Sequence, residues 1–268
     1  MPRKKVSRNP IDAFEAHGFK RQSETDTEYV GYCPFSQKDQ KLYINKESFL
    51  WHSKTAGIGG GLSTFLGEAS KRHAERLKRS PHFMDVICKD RQLPAEAFQG
   101  IGLGHFAGYL QIPVRDESGK VVDIRRWKPE SRVMSTPTCR TGLWGLDRLS
   151  RASNNERVFV CEGEWDGIAL RWLMQQLKEP GIVVAVPGAE TFKEGWIPEF
   201  VDKRVFLLYD NDEAGDRGSV RAYEALKGSA SETRILHWSD GLPSGFDVRD
   251  WIVQTAIKRK KPRTCFAG

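Results

Sequence analysis

Apolar runs alternate with helical patterns over about the last hundred residues of the chain. The runs fall at residues 157–161, 182–186, 205–209 and 234–238, and the helical patterns between them at residues 165–177, 193–200 and 214–227. Strands that are apolar on both faces and are joined by crossover helices are typical of a buried parallel sheet. The pattern therefore predicts an α/β fold with a parallel sheet flanked by helices.

The first 155 residues show shorter and more mixed patterns. Short strands are predicted at residues 28–32, 41–45 and 48–52, a flexible glycine loop at 57–61, and helices at 12–17, 62–77 and 82–90. Two alternating runs, 109–114 and 120–127, flank a turn that contains Gly119 and predict a hairpin. We expect four parts: a small β domain at 1–75, a mixed α+β basic segment at 76–155, the α/β domain at 156–256, and a basic tail at 257–268.

Composition narrows the class of protein. Hydrophobic residues make up 39% of the 268 residues, and no apolar run approaches the roughly 20 residues of a membrane-spanning helix. No apolar segment follows the basic N-terminus, so we expect a cytoplasmic protein without a membrane partner. The five cysteines are scattered, which favours free thiols. The net charge of +7 is compatible with binding to a polyanion, although many other proteins are equally basic.

Acidic residues follow three of the four predicted strands at their carboxyl ends. They are Glu162 and Asp166 after the first strand, Asp210 and Asp212 after the third, and Asp247 and Asp250 after the fourth. In open α/β sheets this edge is where ligands bind. Clustered carboxylates repel one another unless cations neutralise them, and hard oxygen ligands select Mg²⁺ or Mn²⁺. Each acid taken singly is also compatible with a helix cap or a solvated loop position.

The spacing of these acids resembles the Toprim domain. The two matching motifs are Glu162-Gly-x-x-Asp166 and Asp210-x-Asp212-x-Ala-Gly215. The resemblance implies that Glu162 is the general acid/base or lies close to the metal, and that Asp210 and Asp212 bind the metal. Two metal ions in such a site would assist phosphoryl transfer. The resemblance also implies that the other three acids add to the site: Asp166, Asp247 and Asp250.

The order of the predicted parts resembles DnaG-type primases and phage helicase-primases, in which the Toprim domain comes last. Residues 142–147 and 131–137 resemble two stretches of the primase core. The resemblance implies single-stranded DNA, nucleoside triphosphates and a replicative helicase in trans as partners. It also implies contacts to template and nucleotide phosphates by Arg115, Arg125, Arg126, Trp127, Lys128, Arg132 and Arg140. A solvated strand face is the alternative for this set, and Trp127 belongs to it only if its ring faces outward.

The N-terminal segment is similar to the primase zinc ribbon, in which a Cys-Pro-Phe-His pair and a later Cys-x-x-Cys pair bind zinc. Only Cys33 stands at one of the four ligand positions, because the others hold Ser36, Ser53 and Ala56. A structural zinc site needs four good nitrogen or sulfur donors, so we expect no bound zinc. Aromatic packing would then stabilise the segment, through Phe35, Tyr43, Phe49 and Trp51.

Three functions are compatible with the sequence. The leading hypothesis is a primase that makes short RNA primers on single-stranded DNA, with Mg²⁺ or Mn²⁺ at Glu162, Asp210 and Asp212. A Toprim nuclease would use the same acids with water as the nucleophile. A non-catalytic nucleic-acid-binding or inhibitory protein derived from a primase is the third. The chain contains no Gly-x-x-x-x-Gly-Lys-Ser/Thr motif, so we expect no P-loop helicase within it.

Overall fold

The computed structural model of the chain describes residues 9–257, and contacts among these residues define two compact units. The first unit holds the described residues up to Pro81 together with Ile101–Val114 and Lys120–Thr141, and the second holds His82–Gly100, Arg115–Gly119 and the described residues from Gly142 onward. The predicted division into four parts stays a prediction, and residues 258–268 of the predicted tail lie outside the described residues. None of the helices within residues 9–257 is long and apolar enough to cross a membrane.

The first unit begins with an antiparallel sheet of five strands that pair in chain order. The strands are β1 (Lys20–Glu24), β2 (Glu28–Cys33), β3 (Lys38–Asn45), β4 (Trp51–Ser53) and β5 (Ile58–Gly60), and helices α1 (Ile11–Glu15) and α2 (Leu62–Lys78) precede and follow them. The predicted flexible loop at 57–61 is wrong, because Ile58–Gly60 pairs with β4. A Cβ atom at Gly59 would lie 2.7 Å from the carbonyl oxygen of Trp51, so glycine permits this close pairing.

Aromatic rings fill the core of this part of the first unit. Phe35, Trp51 and Phe65 are each buried, and their ring centroids lie 5.1 to 5.4 Å apart. Trp51 Nε1 donates a hydrogen bond to the carbonyl oxygen of Gly61 at 3.0 Å, which satisfies the polar end of the indole. Phe49 packs half-buried against the same core. Apolar burial therefore stabilises the segment that resembles a zinc ribbon.

A second sheet contains the predicted hairpin. Its strands are β6 (Gly104–Phe106), β7 (Tyr109–Arg115) and β8 (Val121–Trp127), in the order β6-β7-β8. Helix α2 packs against β6 and β8, and Ser63 Oγ donates to the carbonyl oxygen of Val121 at 2.8 Å. Leu66 of α2 is fully buried against Val121 and Ile124. The long helix thus joins both sheets into one unit.

A parallel sheet of four strands forms the centre of the second unit. The strands are β9 (Arg157–Cys161), β10 (Ile182–Ala185), β11 (Arg204–Leu208) and β12 (Glu232–Ile235), in the order β10-β9-β11-β12. The α-helices from Pro81 onward are α3 (Pro81–Arg91), α4 (Leu146–Leu149), α5 (Glu164–Leu177), α6 (Glu213–Leu226) and α7 (Val248–Ile252). Short 3-10 segments lie at Ala95–Phe98, Ala189–Thr191 and Glu194–Phe200, and a π-helical turn lies at Val253–Ile257. Helix α5 packs against β9 and β10, and α6 packs against β11 and β12. The predicted α/β class is confirmed.

Candidate active site

Two acids follow the two central strands of the parallel sheet. Cys161 at the end of β9 is paired with Leu208 at the end of β11, so the segments beyond them run side by side. Oε2 of Glu162 accepts a hydrogen bond from the backbone N–H of Asp210 at 3.2 Å. Both acids are half-buried. The parallel register therefore brings together two of the acid groups that the sequence predicts at one edge.

Asp212 and Asp247 cap the helices that begin beside this edge. Oδ1 of Asp212 accepts a hydrogen bond from the backbone N–H of Gly215 at 2.8 Å, at the start of α6. Oδ1 of Asp247 accepts one from the backbone N–H of Asp250 at 2.6 Å, at the start of α7. The capping role considered from the sequence is therefore present in both cases. A cap engages one carboxylate oxygen, and the second oxygen can still accept from another donor or bind a cation.

Arg249 lies among the remaining acids. Its Nη2 is 2.9 Å from Oδ2 of Asp247 and 3.2 Å from Oδ1 of Asp250. Its backbone N–H donates to Oδ1 of Asp166 at 3.2 Å, and Asp166 is buried in the first turn of α5. Asp166, Asp247 and Asp250 therefore surround Arg249.

Burial and mutual repulsion raise the pKa values of these acids. The pKa of Asp210 is raised to about 8, first by burial and then by the charges of the neighbouring acids, Glu162 foremost. Burial also raises the pKa of Glu162, and the charge of Asp212 adds to the effect. The pKa of Asp166 is raised well above its ordinary value by burial and by the charge of Asp247. Perturbed carboxyl groups of this kind are common where proteins bind cations or transfer protons.

The donors at this edge fit a divalent cation. Within residues 9–257 no three His, Cys, Asp or Glu side chains are arranged to hold a metal ion by themselves. Mg²⁺ does not need such an arrangement, because it keeps several waters and binds through one or two carboxylates and substrate phosphates. A bound cation would also relieve the repulsion that raises the pKa of Asp210. Asp210 and Asp212 are the residues that would hold the ion, with Glu162 beside it.

Two members of the predicted nucleic-acid contact set are buried. Trp127 has no exposed surface, so its ring packs in the core. Arg125 is 2% exposed, and its Nη1 lies 3.1 Å from Oδ2 of Asp123 and donates to Ser135 Oγ. A buried guanidinium that is already paired has no surface to offer to a phosphate. The prediction that Arg125 and Trp127 contact nucleic acid is therefore wrong for this structure.

The other predicted basic residues are more accessible. Lys128, Arg132 and Arg140 are exposed, and Arg126 is half-buried. Arg126 and Lys128 both lie over the ring of Tyr109, at 5.9 and 5.5 Å from its centroid. In the second unit, Nη1 of Arg115 donates to the carbonyl oxygen of Gly119 at 3.1 Å. The role of these residues in binding stays a prediction.

The four positions that correspond to zinc ligands come together at the ends of the ribbon-like sheet. Sγ of Cys33 donates a hydrogen bond to Oγ of Ser53 at 3.4 Å, and the backbone N–H of Ser36 donates to Cys33 Sγ at 3.4 Å. The backbone N–H of Ala56 donates to Oγ of Ser53 at 3.3 Å. The two turns that would present zinc ligands are therefore folded and hydrogen-bonded to each other through a thiol and a hydroxyl.

Sequence reasoning missed two cations that act on the acids. Arg249 stands between Asp247 and Asp250 in the sequence, and a basic residue inside an acidic motif is the signal that identifies it. Arg91 on α3 is remote in the sequence, although the charges of Asp166 and Asp247 act on it and its guanidinium lies 4.7 Å from the Trp165 ring centroid. No sequence signal indicates Arg91.

The part of the chain that forms the parallel sheet matches a known protein family. Residues 159–251 match the family described as Toprim-like. The chain is 24% identical to the DNA primase of Thermotoga maritima over 221 residues, which make up 76% of this chain and 34% of that protein. The chain thus spans about a third of the length of this curated relative.

Solved primase structures share the fold. The zinc-binding and RNA polymerase domains of the Aquifex aeolicus primase match with a TM-score of 0.50 and 16% identity, over 94% of this chain and 82% of that chain. A DnaG primase catalytic domain bound to single-stranded DNA matches with a TM-score of 0.55 and 17% identity, over 75% of this chain and 77% of that chain. The protein therefore contains a Toprim-like domain at residues 159–251. Within that class it resembles DnaG-type DNA primases, and it has their fold.

Proposed function

We propose that this protein is a primase that synthesises short RNA primers on single-stranded DNA. The observation that carries the proposal is the contact between Glu162 and Asp210 at the ends of adjacent parallel strands, with Asp212 next to them at the start of α6. The similarity to primases over most of the chain supports it. The raised pKa values favour a site built for a cation and a proton over a set of solvated loop acids.

Primer extension requires a proton acceptor at this site. The 3′-hydroxyl oxygen of the primer attacks the α-phosphate of the incoming nucleoside triphosphate, and pyrophosphate leaves. Mg²⁺ or Mn²⁺ held by Asp210 and Asp212 would stabilise the negative charge on the transferring phosphate. The hydroxyl proton passes to Glu162, whose raised pKa favours its uptake. Oε2 of Glu162 accepts from the Asp210 amide, which holds the carboxylate beside the proposed ion.

Exposed basic residues provide the proposed contact with the template: Lys128, Arg132 and Arg140, with Arg126 partly accessible beside them. Lysine and arginine contacts with phosphates give affinity without sequence information and make it strongly dependent on salt. We therefore expect binding of single-stranded DNA to weaken steeply as salt rises and to differ little between unrelated sequences. Nucleoside triphosphates are the proposed second ligand, and a replicative helicase acting in trans is the proposed protein partner.

A primer-synthesis assay tests the proposal. The full chain is incubated with labelled nucleoside triphosphates, Mg²⁺ or Mn²⁺, and mixed-sequence single-stranded DNA, and the expected product is short RNA. Asp212→Asn is expected to make none, whereas Asp240→Asn, which removes an exposed acid outside the site, is the matched control. Shortening of the DNA without nucleoside triphosphates would instead identify a nuclease. DNA binding without either reaction would identify a non-catalytic binder.

A further inference from the structure

We infer that Arg249 is a built-in counter-cation that leaves this acid site with room for one divalent ion rather than two. The inference rests on the proposed function, because it concerns the metal that the proposed reaction needs. It divides the six acids into two groups of three. The first group is Asp166, Asp247 and Asp250, and the second is Glu162, Asp210 and Asp212.

The first group already contacts a positive charge of the protein. Nη2 of Arg249 lies 2.9 Å from Oδ2 of Asp247 and 3.2 Å from Oδ1 of Asp250. Oδ1 of Asp247 accepts from the amide of Asp250 at 2.6 Å, so both oxygens of Asp247 are engaged. Asp166 is 6% exposed and accepts from the backbone N–H of Arg249 at 3.2 Å. A metal ion would have to displace these contacts.

Arg91 is a second positive charge that acts on the same group, although its Nε also lies 3.0 Å from Oδ2 of Asp90. The charges of Asp166 and Asp247 act on its guanidinium, and so does the like charge of Arg249. A divalent ion placed between Asp166 and Asp247 would therefore contact Arg249 and also be repelled by the charge of Arg91. Like charges at short distance in a partly buried site repel strongly. This side of the cluster favours an arginine over a metal ion.

The second group has no direct contact of this kind, although the charge of Arg249 acts on Asp210 from a distance. None of the ion pairs among the described residues joins a lysine or arginine nitrogen to a carboxylate oxygen of Glu162, Asp210 or Asp212 within 4.0 Å. The polar contacts of these acids are with backbone amides: Glu162 with that of Asp210 and Asp212 with that of Gly215. An uncompensated group of carboxylates attracts a cation. One ion at this group and one arginine at the other would each reduce the repulsion among the carboxylates that they contact.

Counting bound Mn²⁺ tests the inference without a catalytic assay. The full chain is stripped of metal and titrated with Mn²⁺ in the absence of nucleotide, and free Mn²⁺ is followed by electron paramagnetic resonance. The wild type is expected to bind one ion per chain, and Asp212→Asn is expected to bind none. Arg249→Gln should bind two, because Asp247 and Asp250 lose their cation. Arg249→Lys, which keeps the charge, should bind one.

A matched control is Arg217→Gln, which removes an exposed arginine of the same unit that pairs with Glu190 and Glu213. It should bind one ion, as the wild type does. Two ions on the wild type, or one ion on a folded Arg249→Gln protein, would overturn the inference. One ion per chain on both the wild type and Arg249→Gln would overturn the inference but leave the proposed function standing. No Mn²⁺ on the wild type would contradict both the inference and the proposed metal site.

Crystals of the wild type soaked in Mn²⁺ give a second measurement that does not depend on the folding of a variant. One anomalous peak beside Asp210 and Asp212 supports the inference. A further peak between Asp166 and Asp247, with the Arg249 side chain displaced, contradicts it.

Discussion

The ribbon-like sheet and the acid edge of the parallel sheet both resemble places where related proteins bind metal, and their side chains behave in opposite ways. At the ribbon, Cys33 and Ser53 hydrogen-bond to each other above a core of packed aromatic rings. At the acid edge, burial and then the neighbouring charges raise the pKa of Asp210 to about 8. The first arrangement stabilises the fold without a ligand, whereas the repulsion in the second opposes folding and would be relieved by a cation. Unfavourable charge is thus the better indicator of a candidate site.

The largest expected effect is the loss of activity in Asp210→Asn. Metal-dependent primer synthesis should fall to background, because the amide cannot replace a carboxylate ligand. The free energy of unfolding at pH 8 should nevertheless rise, by on the order of 2 kcal/mol, because the ionised Asp210 is disfavoured in the fold. Urea unfolding and the primer assay measure the two effects. Wild-type activity in this variant would refute the site assignment.

Glu162→Gln should reduce turnover by at least about a hundredfold, the low end of a typical acid/base contribution. The amide oxygen of glutamine can still accept the hydrogen bond from the Asp210 backbone, so the strand ends should stay in place. Rapid-quench measurement of nucleotide incorporation checks the rate, and Mn²⁺ stoichiometry checks that the metal site is intact. A rate within twofold of wild type would remove Glu162 from the proton transfer.

Trp51→Ala tests the stability of the ribbon-like region. Trp51 is 2% exposed and packs against Phe35 and Phe65, so its removal should lower the free energy of unfolding by about 3–5 kcal/mol. Leu50→Ala is the matched control, because Leu50 is 57% exposed and should change stability by less than about 0.5 kcal/mol. Denaturant unfolding of the first unit measures both. Equal effects would mean that packing does not maintain this region.

The pH dependence of stability should differ in sign between the two regions. Burial lowers the pKa of His73 to about 3, and the charge of Arg76 adds to the effect. The unfolded chain therefore takes up a proton first as the pH falls below about 6.5, and the contribution of His73 to stability is lost between that pH and about 3. Between pH 7 and pH 5 the loss should be about 2 kcal/mol. The Asp210 carboxyl, whose pKa is raised, should instead become less destabilising over the same interval.

His73→Gln should remove this part of the pH dependence, whereas His82→Gln, at an exposed position, should not. Urea denaturation at pH 5, 6 and 7 measures the slope for each protein. An unchanged slope in His73→Gln would show that other groups account for the pH dependence.

The smallest expected effect is that of a zinc chelator on the ribbon-like region, which should leave its melting temperature unchanged. Only Cys33 among the four ligand positions has a soft donor, and the others hold Ser36, Ser53 and Ala56. Simultaneous Ser36→His, Ser53→Cys and Ala56→Cys substitutions should make the same region bind zinc, because the two turns are already folded. Elemental analysis measures the zinc content. About one zinc per wild-type chain would contradict the prediction.

Periodicity identified the strands whose residues are buried on both faces, and it failed where exposure or glycine removed the pattern. The core of β9 and β11 reads as an uninterrupted apolar run, and both strands are present within one residue of their predicted bounds. The residues of β1 are all exposed, so no apolar alternation marks that strand. In β5 two of three residues are glycine, which resembles a loop until the partner strand is known.

The candidate site shows the same limit at the level of side chains. Motif spacing found the acids because the positions after parallel strands converge at one edge whatever the loops do. It could not determine that Trp127 packs inward or that Arg125 is paired with Asp123, because alternation on a strand leaves open which face is buried. The charges of Asp166 and Asp247 act on Arg91 because of where the fold places α3, and no local signal in the sequence indicates this.

The hydrogen bond from the Asp210 amide to Glu162 also offers a way to observe the site. The chemical shift and the solvent exchange of an amide proton depend on the acceptor that it contacts. In a ¹⁵N-labelled sample, the Asp210 resonance would therefore report whether Glu162 is ionised, protonated or turned away, without a probe attached to the protein. Recorded during a titration with diamagnetic Mg²⁺, this resonance would show whether Glu162 changes its charge at the same Mg²⁺ concentration at which the ion binds.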